Sequence, residues 1–382
     1  MKTITRLFLV GLIAFGMTAC SNEDEIQVEG KAESTVSIKV VPSSNGPVVR
    51  SIGDLTSDLV TESAIKTLEV YVFRVDGTPD GYGVAKSDYG VSSVEKIATH
   101  SGSKNIYVVA NASIGPVASE TDLNAKTNIL PTDITEGLPM TAAPILAANL
   151  KIGHNQYGYA EVTDVNNLST SALKLQRINA RVALINAKMG QVSAGQQALF
   201  DELSEIEVAM FNVPQSSLMF PASLAINEDF IYGEEWPTND SYTKDVLDTA
   251  FKANPSPLTW PITNLSAPYF YVNENTSSEA NEQMIIVLKA KPLKDGETVI
   301  LDGVWTDSEG YTYYPIWVNA DLPGYLYVDH TANSQVLRNT QYNISLTING
   351  LGNPSIDPVE LSTLDVLVEV APWTVVDQSV IW

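Results

Sequence analysis

Thr35-Val36-Ser37-Ile38-Lys39-Val40 alternates polar and apolar side chains with a period of two. One face of this stretch carries Val36, Ile38 and Val40, which is the pattern of a β-strand with one buried side. A run rich in Pro, Ser, Asn and Gly follows it at residues 42–47 and predicts a loop. The chain is therefore expected to enter its fold through a short strand near its N-terminus.

Similar short stretches with strand character recur along the chain, separated by Gly, Pro and Asn. Many short strands between turn residues indicate β-sandwiches, and we predict an all-β fold with few short helices. Short helices are predicted at residues 194–203 and 244–252. The further predicted strands cover residues 67–74, 105–110, 171–188, 205–211, 283–288, 299–301, 311–318, 342–348 and 364–370.

The chain has 382 residues, of which 44% are apolar, so it contains ample material for packed cores. Its length favours two domains. A turn-rich stretch at residues 164–170 predicts a boundary between residues 170 and 171. The long predicted strand after it could belong to either domain.

The balance of charge is strongly acidic, with 22 Lys and Arg against 45 Asp and Glu, a net charge of -23. A face that binds nucleic acid needs clustered basic side chains, so no nucleic-acid partner is expected. The single cysteine excludes Cys-rich zinc sites and intrachain disulfides. No nucleophile elbow, phosphate-binding loop or zinc-protease motif occurs. We expect no enzymatic activity, no metal and no cofactor.

The N-terminus has the features of an export signal. Lys2 and Arg6 precede an apolar run at residues 7–17 that is too short to span a bilayer. The run ends just before Cys20, the only cysteine of the chain. Residues 1–19 resemble a lipoprotein signal peptide, which implies that Cys20 is acylated and anchors an outer-membrane precursor. An ordinary signal peptide with an incidental thiol is the alternative.

Several segments spread over the whole chain resemble one family, the fimbrillins, which are the pilins of type V fimbriae in Bacteroidetes. The C-terminal segment, bounded by tryptophans, is most similar to that of the major, stalk-forming fimbrillin. The segments that carry the resemblance are residues 69–73, 105–111, 176–182, 270–275, 338–345 and 372–382.

The resemblance implies two transthyretin-like β-sandwich domains, at residues 51–170 and 171–382, behind a propeptide at residues 20–50. An arginine-specific surface protease would cut after Arg50 and leave Ser51 as the new N-terminus. The strand with Val36, Ile38 and Val40 would then leave, and the vacated groove would receive a strand from the next subunit. The resulting fimbrium would be a head-to-tail polymer of this chain, joined by anchor and tip subunits and supporting adhesion and colonisation.

Physical reasoning fits that assembly route. A sandwich that lacks one strand exposes unpaired backbone groups and pairs promiscuously, which a temporary strand prevents. A replacement strand can then add by backbone pairing, with alternate side chains fixing its register.

The predicted donor strand is the C-terminal segment, residues 373–382. One face of this segment carries Val376, Val380 and Trp382, and the other carries Trp373, Val375 and Ile381. Polar residues 377–379 interrupt both faces, so the face that enters the groove stays open. The segment could instead be the last strand of its own domain.

Two other functions remain open at this point. An anchor or tip adhesin of the same fimbriae would share most of the features above, and an anchor would keep its lipid. A surface glycan-binding lipoprotein is the third possibility, because aromatic side chains can stack on sugars. The aromatic cluster that could bind sugar comprises Trp305, Tyr311, Tyr313, Tyr314 and Trp317, although packing in the core or an interface is the stronger interpretation.

Overall fold

β-strands account for nearly all of the regular structure in the computed structural model. The described residues include two short helices, α1 (Glu120–Asn124) and α2 (Ala194–Gln197), and 3₁₀ turns at Val60–Ser63 and Asn264–Ser266. The all-β prediction is confirmed. The structure describes residues 32–43, 60–129, 135–192, 194–220, 230–231, 258–277, 282–322, 325–328, 331–356, 365–371 and 374–381.

Eleven strands lie in the described part of the N-terminal half, and all of them except β6 belong to one sandwich. They are β1 (Ser34–Pro42), β2 (Thr67–Arg74), β3 (Pro79–Lys86), β4 (Ser93–Thr99), β5 (Gly102–Ala110), β6 (Thr127–Ile129), β7 (Met140–Thr141), β8 (Ile145–Leu150), β9 (Gly153–Tyr157), β10 (Asn166–Ser169) and β11 (Leu173–Arg177). The strand β2 has the same bounds as its sequence prediction.

The N-terminal strands pair into two layers with a shared core. One layer contains β4, β1, β9 and β10, and the other contains β3, β2, β5, β7 and β11, with β8 alongside β5. The last residues of β1 pair with β11 and so join the two layers. Apolar side chains of β1 and β4 pack in one cluster with those of β2 and β5. The N-terminal half of the chain is thus a β-sandwich.

The C-terminal half supplies the remaining strands. They are β12 (Asn179–Met189), β13 (Glu202–Phe211), β14 (Val213–Pro214), β15 (Ser216–Leu218), β16 (Phe230–Ile231), β17 (Tyr269–Asn273), β18 (Ile285–Lys294), β19 (Glu297–Thr298), β20 (Thr312–Trp317), β21 (Tyr325–Val328), β22 (Thr340–Ile348), β23 (Asp365–Ala371) and β24 (Thr374–Ile381). One sheet is built around β12 and β22, and a second around β13, β18 and β20.

The second of these sheets is covered on both faces. Along β18, Ile286 and Leu288 point into the main core of the C-terminal sandwich. The alternate residues Ile285 and Val287 pack on the other face in a smaller cluster with Trp317. Burial on both faces explains the continuous apolar run that the sequence shows here, because neither face needs polar side chains.

The long predicted strand at residues 171–188 is interrupted. Its first part forms β11, which pairs with β1 and β7, and its second part forms β12, which pairs with β17 and β22. Between them, Ile178 donates its N–H to the carbonyl of Pro139. The change from one sheet to the other therefore falls at Ile178, a few residues beyond the boundary expected after residue 170.

Two other local predictions were wrong in part. The helix predicted at residues 194–203 ends at Gln197, and β13 begins at Glu202, where alternating apolar side chains enter the core. No strand forms at residues 299–301, because the carbonyl of Leu301 accepts the N–H groups of Val304, Trp305 and Thr306 and closes a turn. The helix predicted at residues 244–252 lies outside the described residues.

The two sandwiches meet at an apolar junction. The short strand β15 pairs with β6 of the N-terminal half. Next to it, Phe220 packs edge-on against Tyr107, with ring centroids 5.0 Å apart. The same cluster includes Phe73 and Ile178. The ring of Phe220 thereby connects the C-terminal half of the chain to the outer face of β2 and β5.

Phe220→Ala should weaken this junction. The substitution removes a largely buried aromatic ring, and it should lower the free energy of unfolding by about 3 kcal/mol. Calorimetry of the precursor should also show less cooperative unfolding of the two halves. Leu265→Ala is the matched control, because Leu265 is 75% exposed. Equal effects of the two substitutions would contradict this role for Phe220.

Candidate assembly site

The strand β1 lies in the interior of the sheet that contains it. Over residues 34–38 its backbone pairs with β4 in antiparallel orientation on one side and with β9 in parallel orientation on the other. Its last residues, Val40–Pro42, pair with β11 in parallel orientation. Removal of β1 would therefore leave unpaired backbone groups on β4, β9 and β11.

The three side chains that the sequence singled out on β1 point into the sandwich core. Val36 and Ile38 are 0% exposed and Val40 is 1% exposed. Burial of side chains of this size contributes about 1.5–3 kcal/mol each. Without β1, the core would have an open slot lined by apolar residues of β2, β4 and β5.

Polar contacts hold the N-terminal end of β1. The carboxylate of Glu33 accepts hydrogen bonds from the N–H and hydroxyl of Ser101, which lower the pKa of Glu33. The hydroxyl of Ser34 donates to the carbonyl of Lys151 at 2.9 Å. The Thr35 hydroxyl lies 2.9 Å from Nδ1 of His154 on β9. Ser101 and Lys151 lie in the turns that follow β4 and β8, and His154 lies on β9, so these contacts help to fix the register of β1.

At the other end of β1, the Arg177 side chain is fully buried and contacts two segments of the chain. It donates to the carbonyl of Ser43, directly after β1, at 3.3 Å. It also donates to the carbonyl of Glu62 at 2.8 Å and to the hydroxyl of Ser63 at 2.9 Å. Arg177 thus contacts both sides of the segment that contains the predicted cleavage site.

A buried ion pair holds the segment after the predicted cleavage site. Glu62 and Arg181 are both 0% exposed, and the distance between the Arg181 guanidinium and the Glu62 carboxylate is 2.7 Å. The hydroxyl of Tyr271 donates to the same carboxylate at 2.8 Å. Burial, followed by the charge of Glu62, raises the pKa of Tyr271. These contacts fix the Val60–Ser63 turn to strands of the C-terminal half, independently of β1.

A second buried carboxylate organises the sandwich beside the groove. Asp80 is 1% exposed and accepts a hydrogen bond from Thr99 at 2.6 Å. It lies 2.9 Å from the ammonium of Lys104 and 3.0 Å from Arg74 and from His100. Burial itself opposes the charge, but these donors outweigh it and hold the pKa of Asp80 well below its ordinary value.

The C-terminal strands belong to the sheet of their own domain in this structure. The backbone of β23 pairs antiparallel with β22 and parallel with β21. The backbone of β24 pairs antiparallel with β23. Of the predicted donor residues, Val375, Val376, Val380 and Ile381 lie on β24. The observed pairing corresponds to the alternative in which this segment is the last strand of its own domain.

The remaining predicted site residues fall outside the described part of the chain. These are Cys20, Arg50, Ser51, Trp373 and Trp382. Lipidation, cleavage and the exact donor face thus stay predictions.

Sequence reasoning missed the buried polar residues around the groove. They are Glu62, Asp80, Arg177 and Arg181, together with the half-buried His154. The one local signal was the pair of arginines four residues apart in a chain that has few of them.

The aromatic cluster considered for sugar binding is divided between two cores. Tyr314 packs in the main core of the C-terminal sandwich, whereas Tyr313 and Trp317 pack on the opposite face of the sheet. Trp305 and Tyr311 are partly buried against these two cores, one in each. The cluster therefore does not form one exposed platform.

Within the described ranges, no three Asp, Glu, His or Cys side chains are grouped so that they could hold a metal ion. Among the same residues, none of the helices has the length and apolar character that crossing a membrane requires.

Comparison with known proteins agrees with this architecture. Residues 34–177 match the family model of the major fimbrial subunit protein FimA, and residues 185–373 match that of the FimA4 pilin C-terminal domain. The major fimbrium subunit FimA type-4 of Porphyromonas gingivalis is 30% identical over 99% of both chains. A type-2 FimA of the same organism is 29% identical, again over 99% of both chains.

Solved structures show the same fold. A fimbrillin from Porphyromonas gingivalis superposes with a TM-score of 0.70 at 23% identity, covering 92% of this chain and 96% of that one. A protein from Parabacteroides distasonis, described as a cell-adhesion protein, gives a TM-score of 0.58 at 21% identity, with coverage of 92% and 99%.

The fold and the similarity to these known proteins together define a pilin, a structural subunit of a cell-surface fimbrium. The chain belongs to the FimA family of major fimbrial subunits.

Ile38→Ala should destabilise the precursor because it opens a cavity in the core between β1 and its neighbours. The expected loss in the free energy of unfolding is about 3 kcal/mol. Val41→Ala, on the same strand but 38% exposed, should change it by less than about 0.5 kcal/mol. Urea denaturation of both precursor variants measures the difference. Similar losses would show that β1 is not held by its inward face.

Asp80→Asn should destabilise the precursor at neutral pH by about 3 kcal/mol, because it leaves Lys104 buried without its carboxylate. The pKa of Asp80 is depressed in the folded state, so its stabilisation is present above the unfolded value of about 4 and is lost as the pH falls below it. The difference in the free energy of unfolding between wild type and variant should therefore become smaller from pH 7 to pH 3.

Melting temperatures measured across this pH range test the expectation for Asp80. Asp88→Asn, at an exposed position of the same sandwich, is the control and should follow the wild type at every pH. A difference between wild type and Asp80→Asn that stays constant with pH would contradict the role of the ionised carboxylate.

Proposed function

We propose that this pilin polymerises by exchanging β1 for a strand from another copy of the same chain. The observation that carries the proposal is the position of β1. It is paired on both sides and fills the core, yet it lies at the extreme N-terminus of the fold, in front of Arg50. One cut in the segment between Ser43 and Val60 would separate it from the rest of the chain.

The route begins at the outer membrane. The precursor is exported by the signal peptide and anchored through acylated Cys20. An arginine-specific surface protease then cuts after Arg50, which removes the lipid together with β1 and leaves Ser51 as the first residue. Until that cut, β1 protects the edges of β4 and β9 from pairing with other chains. Assembly is thereby confined to the cell surface.

The junction contacts support the retention of the new N-terminus. Arg177 contacts the chain on both sides of the cut, and loss of β1 removes its bond to Ser43. Its bonds to Glu62 and Ser63 stay on the retained side, as does the ion pair between Glu62 and Arg181. The processed chain would remain attached at the turn Val60–Ser63 while the groove is empty.

The incoming strand comes from the C-terminus of a second copy. The sequence pattern proposes residues 373–382, and β23 and β24 together form the C-terminal strand pair that would be released. A strand entering the groove would pair with β4 and β9 by its backbone, while its alternate side chains fill the slot. Anchor and tip subunits would end the polymer, and the fimbrium would support adhesion and colonisation.

The charge of the processed subunit suits a fibre exposed to solvent. Residues 1–50 carry equal numbers of basic and acidic side chains, so their removal leaves the net charge at -23. Like charge at this level keeps free subunits soluble and opposes the lateral bundling of fibres. Removal of Cys20 also leaves a chain without cysteine, so the subunits are held together without disulfides.

Arg50→Ala should abolish fibres and leave lipidated monomers on the cell surface, because β1 can no longer leave the groove. Electron microscopy and a denaturing gel of surface protein measure the loss. Arg50→Lys should have the same effect, since it keeps the charge but removes the arginine that the protease requires.

A relocated arginine is the control for the Arg50 variants. Val48→Arg in the Arg50→Ala background moves the cut by two residues and should restore fibres. Fibres of normal length from Arg50→Ala alone would contradict the proposed removal of β1.

A further inference from the structure

The strands of the N-terminal sandwich have one common end that points away from the C-terminal half of the chain. At this end, the start of β5 pairs with the ends of β2 and β8, and the start of β1 pairs with the end of β4 and the start of β9. The end of β1 pairs instead with β11, the strand that leads into the C-terminal half. We call the β2–β3, β4–β5 and β8–β9 turns together the N-terminal end face.

In the precursor, the N-terminal end face holds a carboxylate of the segment that processing would remove. Glu33 accepts hydrogen bonds from the N–H and the hydroxyl of Ser101 on the β4–β5 turn, at 3.1 and 2.8 Å. These hydrogen bonds, followed by the charges of His100 and Lys104, lower the pKa of Glu33. Because Glu33 precedes β1, it would leave with β1, and the two Ser101 donors would then become available to another carboxylate.

Without Glu33, the described side chains of the N-terminal end face carry no net negative charge. Three cations balance three carboxylates at or beside the three turns. They are Arg74, Lys104 and Lys151, and Asp76, Asp80 and Glu120. Asp80 is buried among cations, whereas Lys151 and its neighbour Ile152 are exposed. In a chain with a net charge of -23, another copy can approach this face without general repulsion.

The corresponding end of the C-terminal sandwich is acidic. The β18–β19 turn lies there beside the start of β13, and the loop after β19 packs over the same end of the core. The exposed carboxylates described there are Asp201, Glu202, Asp295, Glu297, Asp302 and Glu309. The cations described there are Lys188 and Lys294, and Lys294 is paired with Asp201 at 3.2 Å. The loop also exposes Ile300 and Val304. We call this surface the C-terminal end face.

The two end faces lie where strand exchange would bring two copies together. The end of β24 pairs with the end of β22, which in turn pairs with the end of β12, next to the C-terminal end face. The C-terminus therefore leaves its own sandwich at that face. The groove of β1 begins at the N-terminal end face, and the C-terminal half lies at its other end. A strand that passes from one copy to the next would therefore connect these two faces.

We propose that the C-terminal end face of one copy docks on the N-terminal end face of the next, where one of its carboxylates replaces Glu33 on Ser101. This inference rests on the proposed function and adds a contact outside the groove, whichever strand fills it. In the precursor, Glu33 occupies the docking point, so one cut opens the groove and the end face together. Complementary charge of this kind raises the rate and fixes the orientation of association more than it raises affinity.

Carbodiimide cross-linking of sheared wild-type fibres tests the contact, because this reagent joins a lysine directly to a carboxylate that touches it. Mass spectrometry should find Lys151 joined to a peptide from residues 295–309 of another copy. The same link should be absent from the monomeric precursor treated in the same way.

Charge reversal tests the effect of the contact on assembly. Lys151→Glu should slow elongation about fivefold at low ionic strength, because it brings a carboxylate to the acidic end face of the next copy. Asp295→Lys with Glu297→Lys, added to Lys151→Glu, should restore the rate. Light scattering during processing of the purified precursor measures elongation, and the difference should disappear at about 1 M salt.

Lys86→Glu is the matched control, because Lys86 is an exposed lysine at the end of β3 farthest from the N-terminal end face. It makes the same change in net charge and should leave elongation at the wild-type rate. Ser101→Asp tests the docking point itself, because its carboxylate would repel the incoming one. It should slow elongation as Lys151→Glu does, with cleavage after Arg50 unchanged.

The outcomes separate this inference from the function on which it rests. Cross-links from Lys151 to residues 365–382 alone would assign this point to a C-terminal strand and overturn docking by the end face. Intact fibres without any link from Lys151 would overturn it too, as would equal rates for Lys151→Glu and Lys86→Glu. Each of these results leaves strand exchange in place. Strand exchange itself fails by a different result, fibres in which β1 is still attached to every subunit.

Discussion

The double-sided pairing of β1 is the constraint on which the structure of the N-terminal sandwich depends. Its backbone satisfies the inner edges of β4 and β9 and, further along, that of β11. Its side chains complete a core that the rest of the domain leaves open. Removal of a strand in such a place requires its replacement, because the exposed strand edges and the apolar slot would otherwise associate with other chains. Assembly can therefore depend on one strand.

The contacts of β1 and those of the segment behind it are largely independent. β1 is held by strand edges and core packing, whereas the turn Val60–Ser63 is held by Glu62, Arg181 and Tyr271 at the junction of the two halves. A buried ion pair adds little net stability, but removal of one partner is costly, so such a pair favours a single arrangement. Under the proposed route, this division would allow β1 to leave while the turn Val60–Ser63 stays in place.

Much of the fold could be predicted from local patterns in the sequence. Alternation at Val36, Ile38 and Val40 predicted a strand with an inward face, and the stretch Thr67–Arg74 forms β2 with the same bounds. The strands that pair with β1 could not be predicted from the sequence, because β4, β9 and β11 are distant in sequence and strand pairing leaves no local signature. The break at Ile178 was missed because no Gly or Pro separates the two parts of that stretch. Only their pairing with two different sheets distinguishes them. Asp80 and Glu62 carry no local signal of burial, since their burial depends on cations that other strands supply.

The most direct measurement is the intact mass and N-terminal sequence of this protein sheared from the cell surface as fibres. The account predicts a chain that starts at Ser51, carries no lipid and lacks residues 34–42. A lipidated chain that starts at Cys20 and is incorporated in the fibre with β1 still attached would contradict it, because the groove would then never be vacated.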